Sequence, residues 1–178
     1  ELQMAEVGAA LAQGRARLVG ALTQRLEELP EAPFARPLLS YDPGGELTSQ
    51  GLVGRWRESR PRERAAQRTL SGPHRDELGV MMAGKAMPAA ECSTGEQKAM
   101  LVAITLAHAE LAARGRPGVL LLDEVAAHLD PVRRDALFDR LRASGTQVWL
   151  TGTESAPFEG ILGEAAVWRV SAGRAERS

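Results

Sequence analysis

Two adjacent carboxylates, Asp123 and Glu124, are the residues of this chain whose types and position most clearly suggest chemistry. They follow the apolar run Val119–Leu122, which is typical of a strand buried on both faces of a mixed or parallel sheet. At the carboxyl end of such a strand, Asp can hold Mg²⁺ and Glu can deprotonate an attacking water. The simpler alternative is two solvated acids, which is weakened because adjacent carboxylates repel without a cation or substrate.

A second candidate site is the segment 93–96, Ser-Thr-Gly-Glu, which precedes a long helical pattern. Ser-x-x-Glu is a capping box, in which the Ser oxygen and the Glu carboxylate each accept from a backbone amide at the start of a helix. A helix N-terminus with a small Thr94-Gly95 step also offers amides and a positive pole to a phosphate. The segment therefore predicts a helix running to about Ala113, with a structural role and a phosphate-binding role both open.

Asp130 precedes Pro131 and is predicted to be the N-cap of the next helix. In chain order, segments 93–97, 119–124 and 127–130 match the signature, Walker B and D-loop motifs of ABC-type ATPase heads. The predicted fold class is therefore α/β, the C-terminal part of an ABC-type ATPase head (a sheet with flanking helices) preceded by a helical arm segment.

No functional Walker A loop precedes these motifs. Residues 79–85 fit G-x-x-x-x-G-K, but Ala86 stands where Ser or Thr would reach Mg²⁺, and Pro88 stops any helix almost at once. Residues 78–82 instead predict a strand, followed by a hairpin turn. We therefore expect a truncated head that, alone, is inactive as an ATPase.

The first third of the chain predicts mostly helix. Apolar residues at helical spacing predict an amphipathic helix over residues 2–29. A short strand over 38–41 and a second helix over about 50–68, broken or started by Pro61, are expected to follow. Two domains are predicted: 1–69, a mostly helical arm or lobe, and 70–178, the C-terminal half of the head.

Composition excludes several classes of protein. The 178 residues are 44% hydrophobic with a formal net charge of -1, enough for one core or one and a half. No apolar run reaches the roughly 18 residues needed to span a bilayer, and no segment resembles a signal peptide. The single Cys92 cannot form an internal disulfide. A cytoplasmic protein without a membrane partner is predicted.

A local excess of arginine provides a candidate DNA-binding stripe. Six arginines face only Glu58 and Glu63 between residues 55 and 68, inside a chain whose net charge is close to zero. A basic stripe can neutralise DNA phosphates, although a solvated helix face is the commoner explanation. The six candidates are Arg55, Arg57, Arg60, Arg62, Arg64 and Arg68.

Segments 71–76 (Ser-Gly-Pro-His-Arg-Asp), 92–96 and 121–130, followed by Arg133 and Leu137, resemble the C-terminal half of the RecF family of bacterial recombination mediators. The resemblance covers about residues 70–153, and RecF proteins resemble SMC-type ATPase heads. It implies the cofactors ATP and Mg²⁺, an ATP-dependent homodimer, and binding to double-stranded DNA beside single-stranded gaps. It also implies roles with RecO and RecR in loading RecA during DNA replication, repair, recombination and the SOS response.

The resemblance also implies roles for individual residues. Ser93 and Gly95, within a nucleotide-binding signature that includes Thr94 and Glu96, would contact the γ-phosphate bound on the partner subunit. Asp123 would be the Mg²⁺ carboxylate, Glu124 the catalytic base and Asp130 the D-loop contact.

Thr151 and Thr153 are the remaining nucleotide-side candidates. Transporter heads place a switch His after the strand that ends near Thr151, whereas this chain has Gly152-Thr153. A hydroxyl can contact phosphate but cannot copy a His, so a slow ATPase is expected.

Two other classes stay open from the sequence. The head of another SMC-like ATPase, or a transporter nucleotide-binding subunit, would share the signature and Walker B motifs, but a transporter would normally carry a switch His and lack the Gly-Pro-His-Arg-Asp segment. A pure interaction module that pairs through the helix over 2–29 would be indifferent to Glu124.

Overall fold

A computed structural model of the chain describes residues 1–29, 33–113, 115–126 and 129–177. These residues form two compact units: the first comprises Glu1–Glu31 and Ala35–Cys92, and the second comprises Ala32–Phe34 and Ser93–Ser178. Residues 70–92, predicted to belong with the head motifs, thus pack within the first unit. The assignment of 70–178 to one nucleotide-binding module stays a prediction, because a compact unit need not coincide with a functional module.

Two helices form the larger part of the first unit. Helix α1 spans Leu2–Glu27 and helix α2 spans Ser49–Ala66. They pack through Ala5, Ala9 and Leu52, which are buried, with Val53 and Trp56 alongside. The small alanines on α1 allow the larger side chains of α2 to approach closely, which is how facing helices fill a core.

Helix α2 is continuous at Pro61, where the sequence predicted that a helix would break or start. Thr48 is the N-cap of α2, and its side chain accepts a hydrogen bond from the Gly51 amide (3.1 Å). The helix continues through Pro61 to Ala66 and is followed by the C-cap Gln67, which has φ +51°. Proline removes one helical hydrogen bond, yet α2 continues for five residues beyond Pro61. The packed residues Leu52 and Trp56 hold the first half of α2 against α1.

A three-stranded antiparallel sheet completes the first unit. Its order is β1 (Pro37–Asp42), β2 (Glu77–Met82) and β3 (Met87–Pro88), with Pro37 opposite Met82 and Met82 opposite Met87. A short 3₁₀ turn over Ala83–Lys85 joins β2 to β3. The predicted hairpin is therefore confirmed, and the helix that a phosphate-binding loop would need does not follow Lys85.

The second unit is built on a parallel strand pair. Helix α3 (Thr94–Ala113) leads to β4 (Val119–Leu122), and helix α4 (Pro131–Ala143) connects β4 to β5 (Gln147–Leu150). Val119 pairs with Gln147 and Leu122 with Leu150 in parallel register. A separate hairpin, β6 (Trp168–Ser171) and β7 (Arg174–Arg177), turns at Ala172 and Gly173, which both have positive φ.

The core of the second unit lies on one face of the β4–β5 pair. Val102 and Leu106 of α3 and Leu137 and Phe138 of α4 are buried there with Leu122. The opposite face carries Val119, Leu121 and Trp149, which are 62%, 72% and 51% exposed. The prediction that β4 is buried on both faces is therefore wrong for this chain, because both helices pack against the same side of the strands.

Within the described part of the chain, no helix has the length and apolar character required to span a membrane.

Candidate nucleotide site

The acid pair lies at the carboxyl edge of the parallel strands. β4 ends at Leu122, whose carbonyl accepts a hydrogen bond from the Thr151 amide (3.1 Å), so the ladder extends one residue beyond β5. Asp123 follows and is exposed, and Glu124 is half-buried. This is the edge at which open α/β sheets bind their ligands.

Thr151 connects the two acids through one hydroxyl group. Its Oγ1 donates a hydrogen bond to Asp123 Oδ1 and accepts one from the Glu124 amide (N to Oγ1, 3.3 Å). Glu124 has φ +52°, in the left-handed region that residues with a Cβ rarely adopt. The chain therefore turns sharply after Asp123, and Thr151 is bonded to both sides of the turn.

The acid pair is compatible with Mg²⁺ held mainly by a nucleotide. Among the described residues, no group of three or more His, Cys, Asp or Glu side chains is arranged to hold a metal ion. Mg²⁺ in nucleotide sites uses one or two carboxylates together with phosphates and water. An exposed Asp123 beside a second carboxylate meets that requirement, with Asp123 as the direct candidate ligand.

The signature segment forms the predicted capping box at the start of α3. Glu96 Oε2 accepts hydrogen bonds from the amide and the hydroxyl of Ser93, both at 2.9 Å, and the Glu96 amide donates to Ser93 Oγ at 3.4 Å. Thr94 is exposed and Gly95 is half-buried. The capping role is therefore confirmed, whereas the phosphate role stays a prediction.

Asp130 caps α4, as predicted. Its Oδ1 accepts from the Arg133 amide (3.0 Å), and its Oδ2 pairs with Arg133 Nη1 (2.9 Å). The hydrogen bond from the Arg133 amide, with the nearby guanidinium charge, holds the pKa of Asp130 below its usual range. Ala127 and His128 of the D-loop segment lie outside the described residues.

Arg133 connects the D-loop end to the signature helix. Its Nη1 lies 3.9 Å from the position that a Cβ on Gly95 would occupy, and its Nε donates to the Pro33 carbonyl (3.1 Å). The sequence identified Arg133 only as part of a motif. Its position three residues after an N-cap Asp was a signal for the ion pair, but not for the approach to Gly95.

Phe158 packs closely against Gly152, in the segment where transporter heads place the switch His. A Cβ on Gly152 would lie 2.9 Å from Phe158 Cζ, closer than side chains tolerate. The Phe158 ring packs against Phe138 in the core, with 6.4 Å between ring centroids. Glycine is therefore required here by packing, and a His at this position would displace Phe158. Thr153 beside it is exposed.

The described contacts thus form two clusters rather than one. Asp123, Glu124 and Thr151 are joined by hydrogen bonds, and Asp130, Arg133 and Gly95 are neighbours.

In the first unit, the six arginines are exposed but do not form a single stripe. Arg57, Arg60 and Arg64 recur at helical spacing along one flank of α2, whereas Arg55 and Arg62 lie on the other side of the face packed against α1. Arg68 follows the end of the helix, and Arg60 is ion-paired with Glu1. The longer row of three is the better candidate for tracking phosphates.

The Gly-Pro-His-Arg-Asp segment is used structurally in the first unit. Asp76 accepts hydrogen bonds from Tyr41 Oη (2.6 Å), Arg15 Nη1 (2.8 Å) and the Gly44 amide (3.0 Å). Arg75 Nη2 donates to the carbonyl of Thr69 (3.4 Å). These contacts tie the segment to α1 and β1.

The α/β fold, the capped signature helix and the acid pair at the end of a parallel strand define the C-terminal part of an ABC-type ATPase head. Comparison with proteins of similar sequence identifies a narrower group. The chain is 45% identical to the DNA replication and repair protein RecF of Brucella abortus (strain 2308), over 98% of the chain and 48% of that protein. It is 46% identical to RecF of Mesorhizobium japonicum (strain LMG 29417 / CECT 9101 / MAFF 303099), over 97% of the chain and 49% of that protein.

Solved structures show the same fold. A structure of the recombination mediator protein RecF with ATP in the RecFOR pathway matches 99% of the chain and 50% of that chain, with TM-score 0.76 and 18% identity. A second, of RecF with ATPγS, has TM-score 0.74 and 22% identity over 99% of the chain and 49% of its own. No protein-family model matches. The chain spans about half the length of the curated relatives it matches, and its predicted resemblance to the C-terminal half of RecF is confirmed.

Proposed function

We propose that the chain is the C-terminal part of a RecF-like ATPase that acts in DNA replication, repair and recombination. The observation that carries the proposal is the acid pair at the end of β4, held by Thr151 in a chain 45% identical to a RecF protein. Relatives named for DNA replication and repair, and solved structures of RecF with ATP, support it. The proposed location is the cytoplasm, where the chromosome of a bacterium lies.

In the proposed mechanism, Asp123 would hold Mg²⁺, and Glu124 would orient and deprotonate the water that attacks the γ-phosphate. When bound, Mg²⁺ supplies charge neutralisation to the phosphates. The exposed N-terminus of α3 receives the γ-phosphate of a nucleotide bound on a second subunit. Four residues form that surface: Ser93, Thr94, Gly95 and Glu96. ATP thereby joins two copies, and Asp130 contacts the partner across the dimer.

We further propose that hydrolysis is slow, because Phe158 excludes a side chain at Gly152. Thr153, exposed beside it, offers a hydroxyl to the nucleotide but no ring that can hold a charge. A slow ATPase suits a protein that uses ATP chiefly to control assembly.

The proposed DNA target is double-stranded DNA beside a single-stranded gap, contacted by exposed arginines of α2. The solved RecF structures belong to the RecFOR pathway, so RecO and RecR are the proposed partners, with RecA loading as the outcome.

The experiment that tests the ATPase proposal uses a full-length protein containing this chain and the substitution Glu124→Gln. Removal of the base is expected to lower hydrolysis by about 100-fold or more. ATP binding should persist, so that light scattering detects a long-lived ATP-bound dimer. Glu154→Gln, at an exposed acid with the same charge change, is the matched control and should turn over ATP as the wild type does. A Glu124→Gln protein that binds ATP but stays monomeric contradicts the proposal.

A further inference from the structure

We propose that Thr151 is a positioning residue for the acid pair: its single hydroxyl orients the Asp123 carboxylate and holds the backbone turn at Glu124. The inference rests on the proposed ATPase function. It differs from the sequence-based expectation that Thr151 contacts the nucleotide.

The position of Thr151 is determined by its backbone before its side chain acts. Its amide donates to the Leu122 carbonyl (3.1 Å), which continues the parallel register in which Leu122 pairs with Leu150. The Thr151 side chain is thereby brought beside residues 28 and 27 positions earlier in the chain, Asp123 and Glu124. A strand ladder is rigid compared with a loop, so the hydroxyl is a stable reference point.

The left-handed turn at Glu124 needs such a reference point. A residue with a Cβ at φ +52° is disfavoured and persists only when its surroundings hold it. The Glu124 amide donates to Thr151 Oγ1, and the same oxygen donates its proton to Asp123. One hydroxyl therefore sets the direction of the Asp123 carboxylate and the backbone from which the Glu124 side chain projects.

The Thr151 hydroxyl has a single proton, which distinguishes a positioning role from phosphate binding. A threonine hydroxyl has one proton to donate, and in Thr151 that proton is used by Asp123. A phosphate oxygen can only accept, so it would have to displace Asp123 to bond with Thr151. Thr153 is exposed and makes no hydrogen bond or ion pair within the described part of the chain, so it is the hydroxyl that remains for a nucleotide.

The test uses four forms of a full-length protein containing this chain: wild type, Thr151→Val, Thr151→Ser and Thr146→Val. Valine keeps the shape of threonine without the hydroxyl, and serine keeps the hydroxyl without the methyl group. The matched control is Thr146→Val, at the opposite end of β5, where the hydroxyl donates to the Ser144 carbonyl (3.4 Å). Mn²⁺ binding in the presence of a non-hydrolysable ATP analogue is measured by electron paramagnetic resonance. Binding of the same analogue in EDTA, without metal, is measured separately.

Loss of a residue that orients a metal ligand typically weakens metal binding by about 10-fold to 100-fold. Thr151→Val is expected to weaken Mn²⁺ binding by about 10-fold while binding the analogue in EDTA as the wild type does. Thr151→Ser and Thr146→Val are expected to bind Mn²⁺ like the wild type. Recovery with serine separates the hydroxyl from a packing role that only shape would satisfy.

Three results would overturn the inference: unchanged Mn²⁺ binding in Thr151→Val, equal weakening in Thr151→Ser, or equal weakening of analogue binding with and without metal. The last result would instead identify Thr151 as a phosphate ligand. A wild-type protein that binds neither Mn²⁺ nor the analogue would contradict the proposed function itself.

Discussion

Asp76 joins α1, β1 and the turn at Gly44 in the first unit. Its carboxylate is 4% exposed and accepts hydrogen bonds from Tyr41, Arg15 and the Gly44 amide. Burial alone would raise the pKa of Asp76, but these three donors together lower it below its usual range. Burial and the hydrogen bond to Asp76 raise the pKa of Tyr41 to about 12. Tyr41 therefore donates as a neutral phenol at physiological pH.

Asp76→Asn is expected to lower the free energy of unfolding of this chain by about 2 kcal/mol, because buried donors lose a charged acceptor. The lowered pKa of Asp76 means that its stabilising contribution is present above the ordinary Asp pKa and is lost as pH falls through its folded-state value. The variant should therefore lose stability less steeply on acidification. Urea unfolding across acidic pH measures both effects, with Asp42→Asn, an exposed acid on β1, as the control. Equal acid sensitivity in Asp76→Asn and the wild type would contradict the prediction.

At the scale of elements, the N-terminus of α3 carries the clearest prediction. Ser93→Arg in a full-length protein is expected to leave ATP binding to the monomer nearly unchanged and to prevent ATP-driven dimerisation. The reason is that a bulky cation occupies the space where the γ-phosphate of the other subunit must meet the helix. Filter binding and light scattering measure the two properties separately.

Thr48→Arg supplies a matched control for that experiment. Thr48 is likewise the N-cap of a helix, α2, and its side chain accepts from the Gly51 amide. Removal of either cap lowers stability by about 1 kcal/mol, so only Ser93→Arg should abolish dimerisation. Weaker ATP binding by the Ser93→Arg monomer would show that the signature acts within its own subunit or serves only as a cap.

Helix α2 separates its arginines into two rows, and DNA binding should distinguish them. Replacing Arg57, Arg60 and Arg64 by Gln is expected to weaken binding alike on unrelated duplex sequences. The slope of log affinity against log salt should flatten by about 0.9 for each DNA phosphate that an arginine no longer neutralises. Arg55→Gln with Arg62→Gln, on the other flank, is the control. Unchanged affinity and slope in the triple variant would identify the row as a solvated face.

At the scale of the whole molecule, this chain alone is expected neither to bind ATP tightly nor to hydrolyse it. Asp123 and Glu124 have no phosphate-gripping loop in the described chain, since Lys85 lies in a turn between two strands. Calorimetric titration with ATP and a phosphate-release assay measure the two properties. Turnover by the purified chain that Glu124→Gln abolishes would contradict the expectation.

Local pattern was sufficient to predict the elements that carry the motifs. The helix predicted from the capping box to about Ala113 is α3, and the apolar run at Val119–Leu122 is β4. Both depend on periodicity and caps, which act over a few residues and are therefore visible in the sequence. The exception is Pro61, which lies inside α2 although proline is a local helix-breaking signal.

Local sequence pattern was therefore enough to predict the strand that precedes the acid pair and the capped helix, whereas their chemistry stays a prediction. The long-range contacts become visible in the folded chain: Thr151 with Asp123, Asp76 with Arg15, and Arg133 with Gly95. The tertiary structure also leaves Val119 and Leu121, on one face of β4, exposed. The physical reason is that these contacts depend on strand register and on which sides of the strands the helices cover. Neither property is contained in the pattern of any single segment.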